Sequence, residues 1–314
     1  MLLYTNAEQE RNIYFEYKDS FLKRNKDFLE RYFALVRNLD EESIHTVNTI
    51  LKRLECLFAT EEKKLDLFSE KEACDLQRMK QDFKDRIFKI NDMLFAYGSH
   101  YLPKNFFDNG VWYYKYGLNY VRDMAVVRNG DILDLGAFIG DSSIFFMKYT
   151  DRNVYAVEAQ KDNCKLLEQT ISLNRTDNIK IVNCAVSDHI GRGYIHHCEN
   201  ANLGTLNPYA GRQYQDKEEI SIDTVDHIVK EYGMNVSLIK ADIEGSESAM
   251  LRGAVETLKK YRPILLLCIH HTAEDFWGIK PFIENLNLGY EFKIFKKTDG
   301  NILVGTFLIA EVRK

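Results

Sequence analysis

Gly130 to Ser143 reads GDILDLGAFIGDSS, an apolar strand that stops at an acid and two glycines just ahead of a polar helix start. Ile132, Leu133 and Leu135 supply a buried strand, and Asp134 sits near its carboxyl end. Gly136 and Gly140 let the backbone bend closely round a ligand. Asp141, Ser142 and Ser143 offer capping oxygens before the apolar run Ile144 to Met147. The pattern is that of a turn that binds a nucleotide-type cofactor.

About 20 residues further on, Asn153 to Ala159 (NVYAVEA) forms a second short strand ending at Glu158, where an acid can chelate a ribose diol. A dinucleotide turn wants G-x-G-x-x-G, so that backbone can approach a pyrophosphate, and here Phe138 takes the place of the middle glycine. The turn therefore suits a ribose cofactor without phosphates, a description that S-adenosyl-L-methionine meets. The bland alternative is a tight strand-to-helix turn with Glu158 as a solvated strand end.

A chain of 314 residues with 45% hydrophobic content can bury one sizeable core and a smaller one, so two domains are expected. The net charge of -5, with no basic run, argues against nucleic acid as a partner and for a small-molecule or glycan acceptor. The cysteines are scattered without a C-x-x-C pair, which suggests neither a zinc site nor a disulfide framework and fits a cytoplasmic protein. The opening MLLYTNAEQE is too short an apolar stretch for a signal peptide. The run Ile264 to Ile269 is far below the ~18 residues that a membrane span needs.

No proline precedes Pro103, and apolar residues recur at helical spacing through the first hundred positions. Residues 1–102 are therefore expected to form a helical N-terminal domain, with 103–314 as the catalytic domain. One helix is read through Ile13, Tyr17, Phe21, Phe28, Tyr32, Leu35 and Leu39. A second runs from Ile44 to Phe58, with Asp40 or Ser43 as its cap, and a third through Leu76, Met79, Phe83, Ile87, Ile90 and Leu94. Their apolar faces must cover one another, the catalytic domain, or a second copy of the chain. Plain packing, docking of a partner and homo-oligomer formation stand open. The aromatic segment Val111 to Tyr120 either covers the cofactor, lines an acceptor pocket, or packs the core.

From Asp131 onward strands and helices alternate. Strands are expected at Ile179 to Ser187, Ser237 to Ile243 and Pro263 to His270; helices at Thr224 to Tyr232, Ser246 to Tyr261 and Asp275 to Asn287. Tyr290 to Lys297 and Ile302 to Ala310 should form a hairpin across Thr298 to Asn301 (TDGN). The fold class expected is α/β: a mostly parallel, Rossmann-like sheet covered on both faces and finished by an antiparallel hairpin.

Ser237 to Glu247 (SLIKADIEGSE) gathers Lys240, Asp242, Glu244 and Glu247 at the carboxyl end of a strand, the edge where open α/β sheets bind ligands. Lys240 and Asp242, two apart on a strand, face one side and can pair with each other. Glu244 and Glu247 are equally well explained as acids complementing a helix dipole. His270 and His271 end the next strand, and either can accept a proton near neutral pH. Magnesium assistance by Asp242 and Glu244 lacks a visible third ligand, so no metal is expected.

In order, DLGAFIGDSS, VEAQ, AVSD (from Ala185), SIDTV (from Ser221), and IKADIEGSE followed by AMLRGA resemble the FkbM-type family of S-adenosylmethionine-dependent, class I methyltransferases. The likeness covers roughly the last two thirds of the chain. It implies that Asp134, Gly136, Ala137 and Gly140 hold the methionine end of the cofactor, Glu158 the ribose, and Val186 with Asp188 the adenine. It also implies O-methylation of a sugar, glycan or secondary metabolite, with Asp242 and Glu244 bordering the methyl. Asp242 or His270 would act as general base, with Lys240 orienting Asp242. Phe138, Ala159 and Cys268 depart from the family pattern. An NAD-dependent sugar oxidoreductase and a non-catalytic assembly protein with a degenerate cofactor domain remain as alternatives.

Overall fold

The computed structural model describes residues 4–15, 18–23, 25–198, 204–206 and 214–313. Seven strands make the main sheet: β1 (Asp131–Leu135), β2 (Val154–Val157), β3 (Ile179–Val182), β4 (Val236–Ala241), β5 (Ile264–Cys268), β6 (Tyr290–Lys296) and β7 (Thr306–Val312). Their spatial order is β3-β2-β1-β4-β5-β7-β6. The first five run parallel, and β7 enters antiparallel between β5 and β6. This is the class I methyltransferase arrangement. The chain reverses direction beyond β1, so that the carboxyl ends of β1 and β4 open a crevice.

Both faces of the sheet are buried, which explains why its strands read as continuous apolar runs. Successive side chains alternate between the faces. Leu133, Leu135, Ile239, Leu265 and Leu267 join one core. Ile132, Leu238, Ile264 and Leu266 join the other, with the aromatic segment. Trp112 packs edge-on against Phe145, Tyr97 and Phe107 in that second core.

The first core is completed by the N-terminal helices α1 (Ala7–Tyr14), α2 (Lys18–Leu22), α3 (Lys26–Val36) and α4 (Glu41–Phe58). Asp40 caps α4 by accepting the amide of Ser43 at 2.7 Å, and Val47, Ile50, Leu51, Leu54 and Leu57 bury its apolar stripe. Of the coverings left open by the sequence, these helices take two: they pack on one another, and α4 lies on β6 while α3 lies on the helix Ala273–Asn285. Phe21 meets Phe276 at 5.3 Å and Phe28 meets Trp277 at 5.5 Å between ring centroids. The buried Ser43 Oγ accepts the amide of Ile294, which satisfies a donor on edge strand β6.

Several local expectations change. The helix read through Ile13 and Leu39 is three short helices, with Asn25 capping α3 through the amide of Phe28 and Tyr17 outside the described residues. The expected all-helical first hundred residues contain strands. After α5 (Glu70–Asp82), a three-stranded antiparallel sheet occupies Phe88–Asn91, Leu94–Tyr97 and His100–Leu102. Asn91 Oδ1 accepts the amide of Met93, an Asx turn that reverses the chain where helical spacing suggested continuity.

Farther along, the helix expected over Ser246 to Tyr261 is split into Glu247–Arg252 and Val255–Tyr261. Gly253 lies between them, with a Cβ there falling 2.2 Å from the Ser187 carbonyl oxygen. The terminal hairpin has a longer loop than the D-G signal implies, because its return strand starts at Thr306. Ile302 and Val304 donate their amides to Glu10 and Tyr14 of α1, so this stretch is spent on tertiary bonds. An antiparallel ribbon, Gly191–Cys198 with Tyr214–Asp223, had no counterpart in the sequence reading.

Candidate active site

The crevice at the carboxyl edge is a cavity of about 400 Å³, within the range that holds small-molecule cofactors. Gly136, Phe138, Glu158 and Val186 line one side; Lys240, Asp242, Glu244, His270 and His271 line the other. Val111 and Tyr116 of the aromatic segment reach it as well, so that segment serves both pocket and core. Ile195 of the ribbon borders it, as do Gly204 and Leu206 beside that ribbon. Among the described residues, no helix is long and apolar enough to cross a membrane.

The turn after β1 is pressed tightly against the end of β4. Gly136 has φ +72°, and a Cβ there would fall 1.9 Å from the Asp242 carbonyl oxygen. Amides of Gly136 and Ala137 both donate to the Val157 carbonyl at 3.0 Å, which bends the loop toward β2. Gly140 caps α6 (Asp141–Phe146). Asp134, wholly buried, sits 3.0 Å from Lys240 Nζ and accepts the hydroxyls of Ser142 and Ser143 at 2.7 and 2.6 Å. Lys240 also donates to the carbonyls of Leu135 and Gly136. The ion pair expected between Lys240 and Asp242 is thus made to Asp134 instead.

Glu158 accepts three hydrogen bonds, from the amides of Phe138 (3.0 Å) and Gln160 (2.9 Å) and from Asn163 Nδ2 (3.2 Å). Burial pushes its carboxyl above the ordinary range, and these donors pull the other way. Among the described residues only the Phe138 amide is bonded to Oε2, which leaves that oxygen lone-pair capacity. Burial, with Asp108 nearby, raises Asp141 at the cavity wall to about 7.

On the opposite side, His271 lies between acids. Its Nδ1 is 2.8 Å from the fully buried Glu247, and its Nε2 is 3.3 Å from Asp242 and 4.0 Å from Glu244. Glu247 is itself anchored by the amides of Ile243 and Gly245. Burial lowers the imidazole's proton affinity, but the charges of Glu247 and Glu244 outweigh it and hold His271 well above its usual range. Burial raises Asp242, and the His271 bond and charge more than reverse that, so it stays a carboxylate far below the usual value. His270 is pushed well down by burial and the neighbouring His271 charge, which leaves it neutral. Its Nδ1 meets the Thr306 carbonyl at 3.3 Å.

Of the sequence candidates, Asp242, His270, Lys240, Glu244, Gly136, Glu158 and Val186 come together at this cavity. Asp134, Ala137 and Gly140 lie behind its wall. Asp188 is engaged elsewhere, at 3.0 Å from both His189 and Arg252. The sequence reading passed over His271 in favour of its neighbour and missed Lys297, which lines the cavity and bonds Asn109 at 3.0 Å. For His271 a signal existed: an adjacent pair of histidines at a strand end opposite an acidic cluster.

The closely set Gly136 turn, a carboxylate with spare acceptor capacity and a 400 Å³ space fit an adenosyl group. Among solved structures, the chain resembles the methyltransferase FkbM from Methylobacillus flagellatus KT, with a TM-score of 0.56 and 17% identity over 90% of this chain and 58% of that one. This likeness shows the fold, and the chain spans 58% of that relative's length. Weaker likenesses are an rRNA methylase from Streptococcus thermophilus (TM-score 0.38, 14% identity, 60% of this chain and 92% of that one). Another is the Aeropyrum pernix fibrillarin with natively bound S-adenosyl-L-methionine (TM-score 0.34, 12% identity, 59% and 67%). Comparison with curated proteins gives no match. The methyltransferase FkbM domain matches residues 134–299, more than half of the chain, from the acid of the first turn into the terminal loop. The chain therefore belongs to the FkbM methyltransferase family, whose cofactor is S-adenosyl-L-methionine.

Proposed function

We propose that this protein methylates a hydroxyl oxygen on a sugar, glycan or secondary metabolite, in the cytoplasm and without a nucleic-acid partner. The observation that carries the reading is one cavity lined on one side by Gly136, Glu158 and Val186 and on the other by Asp242, Glu244 and His270. Membership of a methyltransferase family removes the nicotinamide alternative.

Glu158 would hold the ribose, Val186 the adenine, and the backbone at Gly136 the methionine end. Asp134, Ala137 and Gly140 would shape that loop from behind, and Asp188 would brace the adenine side through its pair with Arg252. When bound, S-adenosyl-L-methionine supplies a methyl group on a sulfonium. The chain's own part is mainly placement, since holding reactants about 3 to 3.5 Å apart and aligned is worth roughly 7 to 11 kcal/mol. With Nδ1–H of His270 on the Thr306 carbonyl, the lone pair of Nε2 is left to take the hydroxyl proton. Asp242 would orient that hydroxyl. Lys240 acts one step back, fixing Asp134 and the carbonyls of the turn.

Residues 103–314 would be the transfer domain and 1–102 a buttress for its sheet. The exposed Leu29 and Phe33 on α3 suit contact with a second copy of the chain. A transfer assay with methyl-labelled cofactor and a panel of hydroxylated acceptors tests the function. Label appearing on a nitrogen or carbon atom of the acceptor would overturn the oxygen assignment.

A further inference from the structure

We infer that Asp242, His270 and His271 form a binding site for a divalent transition-metal ion at the acceptor side of the cleft. The inference rests on reading that cleft as the methyl-acceptor pocket, and adds to it a cation that the sequence reading left out. One ligand atom from each of the three residues lies within 4.8 Å of the others. His271 Nε2 and Asp242 Oδ1 are 3.3 Å apart, the separation of two ligands on one cation with bonds of about 2.0 to 2.2 Å. The ring of His270 sits 4.3 Å from that of His271 between centroids, tilted by 40°, and has a short distance to close.

The outer contacts of the two imidazoles point the same way. His271 Nδ1 meets the buried Glu247, and His270 Nδ1 meets a backbone carbonyl. Metal-binding histidines have this equipment, one ring nitrogen fixed on a carboxylate or carbonyl so that the other is aimed at the ion. Glu247 is held in place by two backbone amides, Ile243 on the oxygen that meets His271 and Gly245 on the other. Without a cation, a proton on Nε2 of His271 bridges to Asp242 in the ion's place.

Two imidazoles and one carboxylate suit manganese, iron, cobalt, nickel or zinc better than magnesium or calcium, which prefer oxygen alone. Glu244, 4.0 Å from His271 Nε2, stands beside the site. In the metal-loaded protein His270 is a ligand rather than the proton acceptor, and a hydroxyl of the acceptor bound to the ion loses its proton to solvent more readily. Its oxygen then bonds the methyl carbon as the carbon–sulfur bond breaks, and nothing is oxidised or reduced. Asp242 had been paired with Glu244 in the sequence, and the third ligand comes from the neighbouring strand end.

A second three-ligand group, Asp223, His227 and Glu231, lies at the protein surface and serves as the internal control. There both oxygens of Asp223 lie 2.9 Å from the same Nδ1 of His227. The test uses the full chain, stripped with a chelator and titrated with Mn2+ by electron paramagnetic resonance and with Zn2+ by calorimetry. One ion per chain is expected, with affinity unchanged in His227→Ala and at least tenfold weaker in His270→Ala. Glu247→Gln, which alters the outer contact and leaves the three ligands in place, should weaken it roughly 10- to 100-fold. The half-buried His270 is the primary variant, because replacing the buried His271 strands Glu247.

Cofactor affinity is measured on the same samples. No uptake with cofactor binding retained overturns the metal site alone, whereas loss of both in the unmutated protein overturns the reading of the cleft. Uptake that is abolished by His227→Ala, or unmoved by both His270→Ala and Glu247→Gln, also overturns the site.

Discussion

The two sides of the cleft stabilise their acids by different means. Glu158 is held by neutral donors, two backbone amides and one side-chain amide, which come with the fold and do not titrate. Asp242 is held through His271, a charge whose proton can be exchanged, and Glu247 adds that same charge to two backbone amides. The first arrangement suits a cofactor shared by a whole family. The second suits chemistry, where a proton has to move. Between them, Lys240 joins the buried Asp134 to the carbonyls of Leu135 and Gly136 and so ties the strand that precedes one side to the strand that precedes the other.

The largest effect should come from breaking that tie. Lys240→Ala leaves Asp134 as an uncompensated buried charge and should cost about 3 to 5 kcal/mol of stability, read by chemical denaturation. A loss under 1 kcal/mol would mean that the two sides do not depend on this pair. Next, Asp242→Asn should lower turnover with the true acceptor by on the order of a hundredfold, with cofactor affinity nearly unchanged in calorimetry. Equal losses of both would erase the division between the sides.

Glu158→Ala should weaken S-adenosyl-L-methionine binding by roughly ten- to a hundredfold, the value of a charged hydrogen bond. Unchanged affinity would leave Glu158 as a brace for the Phe138 turn. The smallest effect sharpens the contrast by adding a buried acid with a single amide and no paired charge in hydrogen-bond contact among the described residues. Glu10 accepts one amide at 3.2 Å, and burial raises its carboxyl to about 7. Its folded-state value lies above that of the unfolded chain, so its stabilising share is full below about 4.5 and is lost as pH rises through about 7. Glu10→Gln should therefore flatten the stability profile and be more stable than the parent at pH 8. A parallel profile would assign the pH dependence to other groups.

What could be read beforehand follows the range of the interactions. The β1 turn, the strand alternation and the Asp40 cap are set by residues within a few positions of one another, and all three were legible. The Lys240–Asp134 pair spans 106 residues and the Ser43–Ile294 bond 251, beyond anything that spacing can report. Helix was expected as far as Leu94, across the strand Phe88–Asn91, because Phe83, Ile87, Ile90 and Leu94 match helical spacing, while an Asx turn at Asn91 decides otherwise. In the site, acids at strand ends announced themselves. The pairing of His271 with Glu247 did not, since it comes from the two residues facing each other across two strand ends.

The contact between the Gly136 turn and the Asp242 carbonyl bears on how this scaffold can be redesigned. A methyl group there would drive apart the ends of both strands, so position 136 is a poor choice for a randomised library. Phe106, an exposed ring edge-on to Phe138 at 5.0 Å on the rim, lies outside the Gly136–Asp242 contact itself and is where a search for altered acceptor preference should begin.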